Sequence, residues 1–277
     1  QEIGKIIGRD HRTIGRELKR NQWHGLYHSH GAEYQAKQRK REAGKRPRLK
    51  NKAIKDYVCK YLRLGWSPEQ ISGRLPYDLP GLSISHEAIY LYIYNDAMEM
   101  AQYLTRASWQ RRRRKRHHKR KSRIQGRIPI YKRPEAIDQR RVFGHWEADS
   151  VVSKRPSRKA LNVLVERKTR YTKISRLKDR YSKTTAYAIV RALSKLPTKS
   201  RKSITYDNGH ENTNHLKVNQ ELDMSSYFCR PYSSWEKGTV ENTNGLIRRY
   251  IPKRRSLDTV SEEEIRRIEH LLNHRPR

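Results

Sequence analysis

The sequence predicts an α/β fold: a mixed sheet with flanking helices, preceded by small helical units. Three observations predict it. Strand-like runs at 146–152, 161–166 and 171–177 are followed by alternating helix and strand patterns, the order that a helix-covered sheet produces. The first hundred residues carry instead the spacing and N-cap signals of short helices. Between the two halves, residues 100–134 hold no acidic residue, and 111–123 hold ten Lys or Arg in thirteen positions. Such a block cannot enter a core, because each buried cation would need a partner. It is expected to be a solvated arm that orders on phosphate.

Residues 1–22 read as a partial helix-turn-helix. Ile3, Ile7, Ile14 and Leu18 have helical spacing broken at Gly8-Arg9-Asp10, and Gly4 and Gly8 supply the small residue and the turn that let two short helices cross. Arg12, Thr13, Arg16 and Arg20 then lie on the second helix, as DNA contacts. Gln1 is not a natural start, so the chain is expected to begin inside this unit.

Residues 50–105 read as a second helical DNA-binding unit. Trp66-Ser67-Pro68-Glu69-Gln70 combines an N-cap serine, a proline at the first helical position and a capping box closed by Gln70. That helix runs through Ile71 and Leu75 and should stop near Pro76. Ser85 caps the next helix, with Ile89 and Ile93 inward and Ser85 and His86 as candidate DNA contacts. The alternative is an ordinary helical hairpin with Tyr90, Tyr92 and Tyr94 partly in its core; the charge that follows favours DNA. Residues 106–134 form the basic linker, with Arg111, Arg112, Arg113 and Arg114 as phosphate contacts. Residues 140–277 form the sheet, with further strands at 203–206 and 225–229 and helices at 184–196 and 239–250 that end at Pro197 and before Pro252.

Charge narrows the partner. The 277 residues contain 64 Lys+Arg against 28 Asp+Glu, a net charge of +36, and only 34% hydrophobic residues. That excess calls for a polyanion, and nucleic acid is the obvious one. No apolar run approaches the roughly 18 residues of a membrane span. Cys59 and Cys229 lie 170 positions apart with no C-x-x-C, which excludes a zinc ribbon and a disulfide scaffold. A reducing, cytoplasmic location is the expectation.

Three acids fall where chemistry needs them. Asp149 sits within the first strand (G-H-W-E-A-D), Asp207 at the end of the fourth (I-T-Y-D-N-G), and Glu241 early on a helix, with 33 residues between the last two. Convergent carboxylates repel unless a cation sits between them, so the trio implies a hard divalent metal. Oxygen ligands without cysteine or clustered histidine point to Mg²⁺ or Mn²⁺ rather than zinc. Two such ions about 4 Å apart can activate a water or a 3′-hydroxyl and stabilise the leaving oxygen of a phosphodiester displacement.

G-H-W-E-A-D, Y-D-N-G-H-E and S-S-W-E-K-G-T-V-E-N-T-N-G-L-I-R-R-Y-I-P-K resemble the DDE transposases of the bacterial IS-thirty group. W-S-P-E-Q-I, S-H-E-A-I-Y and the basic linker extend the likeness over nearly the whole chain; the motif at 232–253 is the most specific. The resemblance implies a ribonuclease H-like, retroviral-integrase-like core with Asp149, Asp207 and Glu241 as its metal-binding triad. It implies Mg²⁺-dependent cleavage and strand transfer at terminal inverted repeats, joining to target DNA, a homo-oligomer on paired ends, and a place near the bacterial nucleoid. Arg248, seven positions after Glu241, would contact element-end DNA. Ala148 and Asn212 depart from the family pattern, though neither is expected to touch a ligand position. The family continues past Arg277, so a C-terminally truncated core is expected.

Other readings stand beside this one. Glu147 shares a strand face with Asp149 and could be the ligand in its place. His145 and His210 flank the acids and are expected to bond backbone rather than metal. Glu211 could support Asn208 or Asp207. Trp146 and Trp235 are expected to pack, and Glu262 to Glu264 with Arg266 and Arg267 to form a solvated face of i,i+4 pairs. The alternative function is a catalytically incomplete remnant that binds repeats as a regulator. An RNA-processing nuclease fits less well, because the deep RNA major groove excludes a helix.

Overall fold

The computed structural model describes residues 2–23, 25–44, 49, 51–104, 124–231 and 233–276. Arg111, Arg112, Arg113 and Arg114 lie outside them, as does position 232 of the long motif. Helices α1 (Glu2–Ile7) and α2 (His11–Arg20) meet at Gly8, whose φ is +64°. A Cβ on Gly4 would stand 2.8 Å from the Arg9 carbonyl oxygen, so the helices approach this closely only over glycine. Asp10 caps α2 by accepting from the Arg12 amide at 2.8 Å. The expected periodic set is only partly covered, however: Ile3 and Ile7 are exposed, while Ile14 and Leu18 are half-buried. Two helices this short have too little facing surface to cover it. The hairpin of β1 (Gln22–Trp23) and β2 (Leu26–Tyr27) and the long α3 (Ser29–Gly44) are not among the expected elements. Polar residues run all round α3, which leaves no periodic stripe to recognise.

Helices α4 (Lys52–Arg63), α5 (Pro68–Asp78) and α6 (His86–Asp96) enclose a core of Val58, Leu62, Ile71, Leu75, Ile89 and Ile93, none of them exposed. Each buried side chain of this size contributes about 1.5–3 kcal/mol. The predicted capping box is formed: Gln70 donates its amide to Ser67 Oγ at 3.4 Å, and Ser67 donates its own to Gln70 Oε1 at 3.0 Å. Ser85 caps α6 through the Ala88 amide at 3.2 Å. Helix α5 ends at Asp78, two residues past Pro76 and near the expected stop. Proline forfeits one N–H there, and the helix ends before the loss is felt further. Tyr92 is buried and Tyr94 exposed.

After the short α7 (Glu135–Asp138) come β3 (His145–Val152), β4 (Ala160–Glu166), β5 (Thr172–Leu177), α8 (Ser182–Leu193), β6 (Ser203–Tyr206), α9 (His215–Leu222), β7 (Ser225–Phe228), α10 (Gly238–Tyr250) and α11 (Glu262–Asn273). The sheet order is β5-β4-β3-β6-β7, antiparallel across the first three strands and parallel across the last three. This is the expected mixed sheet. Every residue of β4 is buried, because helices cover both faces. Val151, Leu161, Val163 and Val165 pack under α10 and α11, while Trp146, Ala148 and Leu164 pack under α8 and α9.

Several side chains take other partners than expected. Residues 124–134, read as linker, pack on the sheet: Ile130 is buried and Arg133 donates to Thr205 Oγ1 at 2.8 Å. Trp146 packs as expected, but Trp235 is exposed. Glu262 pairs with Arg176 at 2.9 Å and Glu264 with Arg255 at 2.6 Å, tertiary contacts in place of i,i+4 pairs. The second helical unit is tied to the sheet through α10: Arg249 donates to the carbonyls of Gly65, at 3.0 Å, and Tyr103, and the Tyr250 hydroxyl donates to that of Leu64 at 3.1 Å.

Candidate active site

Strand register brings the two aspartates together. The parallel pairing of β3 with β6 sets His145 beside Ser203 and Glu147 beside Thr205, each 58 positions apart. Asp149, within β3, and Asp207, just past the end of β6, are separated by the same 58 positions, each two residues beyond the last parallel pair. Glu241 sits in the first turn of α10, which crosses this end of the sheet. Asp149, Asp207 and Glu241 all line one open cleft of about 450 Å³, together with Asn208, Gly209, Cys229 and Lys237.

Each aspartate has one oxygen fixed by amide donors. Asp149 Oδ2 accepts from Asn244 Nδ2 at 2.7 Å. Asp207 Oδ1 accepts from the Gly209 amide at 2.9 Å and from Asn212 Nδ2 at 2.8 Å. The other oxygens, Asp149 Oδ1 and Asp207 Oδ2, bear on the Lys237 ammonium at 3.3 and 3.5 Å. Burial works to discharge Lys237, but Asp207 and Asp149 outweigh it and hold its pKa above the usual lysine range. Among the described residues no three His, Cys, Asp or Glu side chains form a ready-made metal cage. What the site offers is a pair of carboxylate oxygens directed at one cation, with Glu241 on the wall of the same cleft. A hard divalent ion suits that donor set, and the lysine ammonium marks where positive charge gathers.

The alternatives sort themselves by contact. Glu147 is not exposed at all; its Oε1 takes Arg167 at 2.7 Å and its Oε2 the Val240 amide at 2.9 Å, so it holds α10 in place and does not face the cleft. His145 bonds Ser203 Oγ at 2.8 Å, a side chain where backbone was expected. Glu211 pairs with Arg180 at 2.7 Å, and the support for Asp207 comes from Asn212; contrary to expectation, this departure from the family pattern does touch a candidate ligand. Lys237 and Asn244 also escape sequence reasoning. Both stand within the long motif, four before and three after Glu241, which is the available signal. Cys229 lines the cleft, where burial pushes its thiol up to about 12 and so disfavours the thiolate. Arg248 donates to the Val152 carbonyl at 2.6 Å, below the cleft on α10. Arg12, Thr13, Arg16 and Arg20 lie on α2, and His86 lies beside Glu87 at the start of α6, far along the chain from the acids.

Sheet order and site together define a ribonuclease H-like polynucleotidyl transferase. An integrase core domain family matches residues 139–234, stopping short of Glu241. Over 290 residues the chain is 37% identical to transposase InsI for insertion sequence element IS30A of Escherichia coli (strain K12), covering 99% of this chain and 74% of the relative. It is 38% identical over 283 residues to the transposase for insertion sequence element IS4351 of Bacteroides fragilis, covering 99% of this chain and 85% of that one. It is 34% identical over 287 residues to the transposase for insertion sequence element IS1086 of Cupriavidus metallidurans, covering 99% and 84%. The chain belongs to the IS30 family of transposases, divalent-metal-dependent DDE enzymes. Membership favours transposition over the regulator that binds without chemistry.

Proposed function

We propose that Asp149, Asp207 and Glu241 hold two Mg²⁺ ions, with Mn²⁺ as a substitute, and that this transposase cuts and joins DNA at the terminal inverted repeats of its element. The observation that carries this is the aim of Asp149 Oδ1 and Asp207 Oδ2 at one cation within the cleft that Glu241 also lines. When bound, the ions would lower the pKa of an attacking oxygen and stabilise the leaving one. The chain's own part is positional. Asn244 and Asn212 fix one oxygen of each aspartate, and Glu147 fixes the helix that carries Glu241. Water attacks a phosphorus at the element end and the P–O3′ bond breaks, leaving a 3′-hydroxyl and a 5′-phosphate. That hydroxyl then attacks a target phosphorus and displaces the target strand's own 3′-oxygen. No protein–DNA bond forms.

Residues 1–22 and 50–105 serve as the repeat-reading units. Arg12, Thr13, Arg16 and Arg20 on α2, and Ser85 and His86 at the start of α6, are their proposed contacts. Arg248 and the arm at Arg111, Arg112, Arg113 and Arg114 contact phosphate. None of the described helices is long and apolar enough to cross a membrane. A homo-oligomer on paired ends, working at the nucleoid in the cytoplasm, completes the reading. The test is Asp149→Asn, Asp207→Asn and Glu241→Gln in the intact transposase. Each abolishes cleavage and joining while repeat binding persists; cleavage retained in all three rejects the assignment.

A further inference from the structure

Lys237 is the buried charge of the cleft, its side chain 4% exposed. Its Nζ donates to the Ala148 carbonyl at 3.0 Å and faces Asp149 Oδ1 and Asp207 Oδ2 at 3.3 and 3.5 Å. Because amide donors hold the remaining oxygen of each acid, the ammonium stands at the one point on which both unshared oxygens bear. A divalent ion drawing on the same oxygens meets a positive charge at close range, and like charges there oppose each other strongly. Lys237 is the residue immediately before α10, so its backbone is fixed, but its four-carbon stem lets the ammonium move. A DNA phosphate entering the open cleft offers that ammonium a new anion.

We propose that Lys237 is a positioning residue that couples metal binding to DNA binding: its ammonium braces the Asp149–Asp207 pair and opposes divalent metal until a DNA phosphate takes it over. The proposal rests on Asp149 and Asp207 as metal ligands. Linkage then requires that DNA raise metal affinity by the factor by which metal raises DNA affinity.

Mn²⁺ binding, read from the electron paramagnetic resonance signal of the free ion, tests this on the chelator-treated intact chain, with and without a duplex carrying the element end. The variants are Lys237→Met, Lys237→Arg and Asp207→Asn. The unmodified chain should bind Mn²⁺ weakly alone and more tightly with duplex. Lys237→Met should bind roughly tenfold more tightly without DNA, and its gain on adding duplex should shrink. Lys237→Arg, which keeps the charge, should keep the coupling. Where methionine prevents folding, Lys237→Gln, whose amide can still donate to the Ala148 carbonyl, repeats the comparison. If Asp207→Asn loses Mn²⁺ while Lys237→Met binds it no more tightly than the unmodified chain, the lysine proposal alone is overturned. If Asp207→Asn binds Mn²⁺ undiminished, the ligand assignment falls and takes this proposal with it.

Discussion

The carboxylate of Glu147 accepts the backbone N–H of Val240 at 2.9 Å, tying the strand of Asp149 to the helix of Glu241. Its other oxygen takes Arg167 at 2.7 Å; Arg167 and Arg133 share Asp138, and Arg133 reaches Thr205, two positions before Asp207. One chain of charges therefore touches all three segments that carry the acids. Glu147→Ala strands Arg167 in the interior and should cost about 3–5 kcal/mol, read as a lower denaturant midpoint. Glu147→Gln keeps an acceptor for Val240 and should cost less, about 1–3 kcal/mol. A wild-type midpoint in Glu147→Ala would show that the network does not hold these segments together.

Acid should weaken the sheet through His145. Burial, followed by the nearby Lys202 charge, holds the imidazole below its ordinary value of 6.5. The unfolded chain takes up this proton first, so the stability His145 contributes is complete above about pH 6.5 and is lost as pH falls toward the lowered folded value. Urea midpoints at pH 7.5 and 5.5 should therefore differ less in His145→Asn than in the unmodified chain. An equal difference would clear His145.

The second helical unit meets α10 at Gly65. Its φ is +86°, and the Tyr250 hydroxyl lies where a Cβ would go. Gly65→Ala should cost about 1–3 kcal/mol through backbone strain and the displaced tyrosine. Tyr250→Phe should cost about 0.5–1.5 kcal/mol, because its bond to the Leu64 carbonyl is gone. As both act on one junction, the double variant should cost less than their sum in denaturant titrations. Strict additivity would mean that the two residues act separately.

Salt reports on the arm. If Arg111, Arg112, Arg113 and Arg114 neutralise phosphates on duplex DNA, replacing them with glutamine should shallow the slope of log affinity against log salt by about 0.9 for each phosphate no longer neutralised. An unchanged slope makes the run a passive connector.

The caps and the sheet are legible because they depend on neighbours in sequence. Ser67 with Gln70, and Ser85 with Ala88, bond within three residues, and β4 reads as a buried strand from its largely apolar run. Helix α3 is not legible, since a polar surface all round it leaves no stripe. Nor is the role of Asn212: nothing in D-N-G-H-E-N says that its amide turns back onto Asp207. Trp235 misleads, because a tryptophan's size argues for burial and its short 3₁₀ turn leaves it exposed.

By itself the order of residues determined the charge, the strand and helix sequence, and the three acids, because composition and local periodicity need no partner from far along the chain. Only tertiary structure decided which acid faces the cleft. Glu147 and Asp149 lie on the same face of one strand, yet α10 covers the first and leaves the second open. The reason is register: parallel pairing sets Glu147 beside Thr205, so Asp149 and Asp207 each follow two positions past that pair, while Glu147 itself lies beneath the helix, where Arg167 and a backbone amide satisfy its charge.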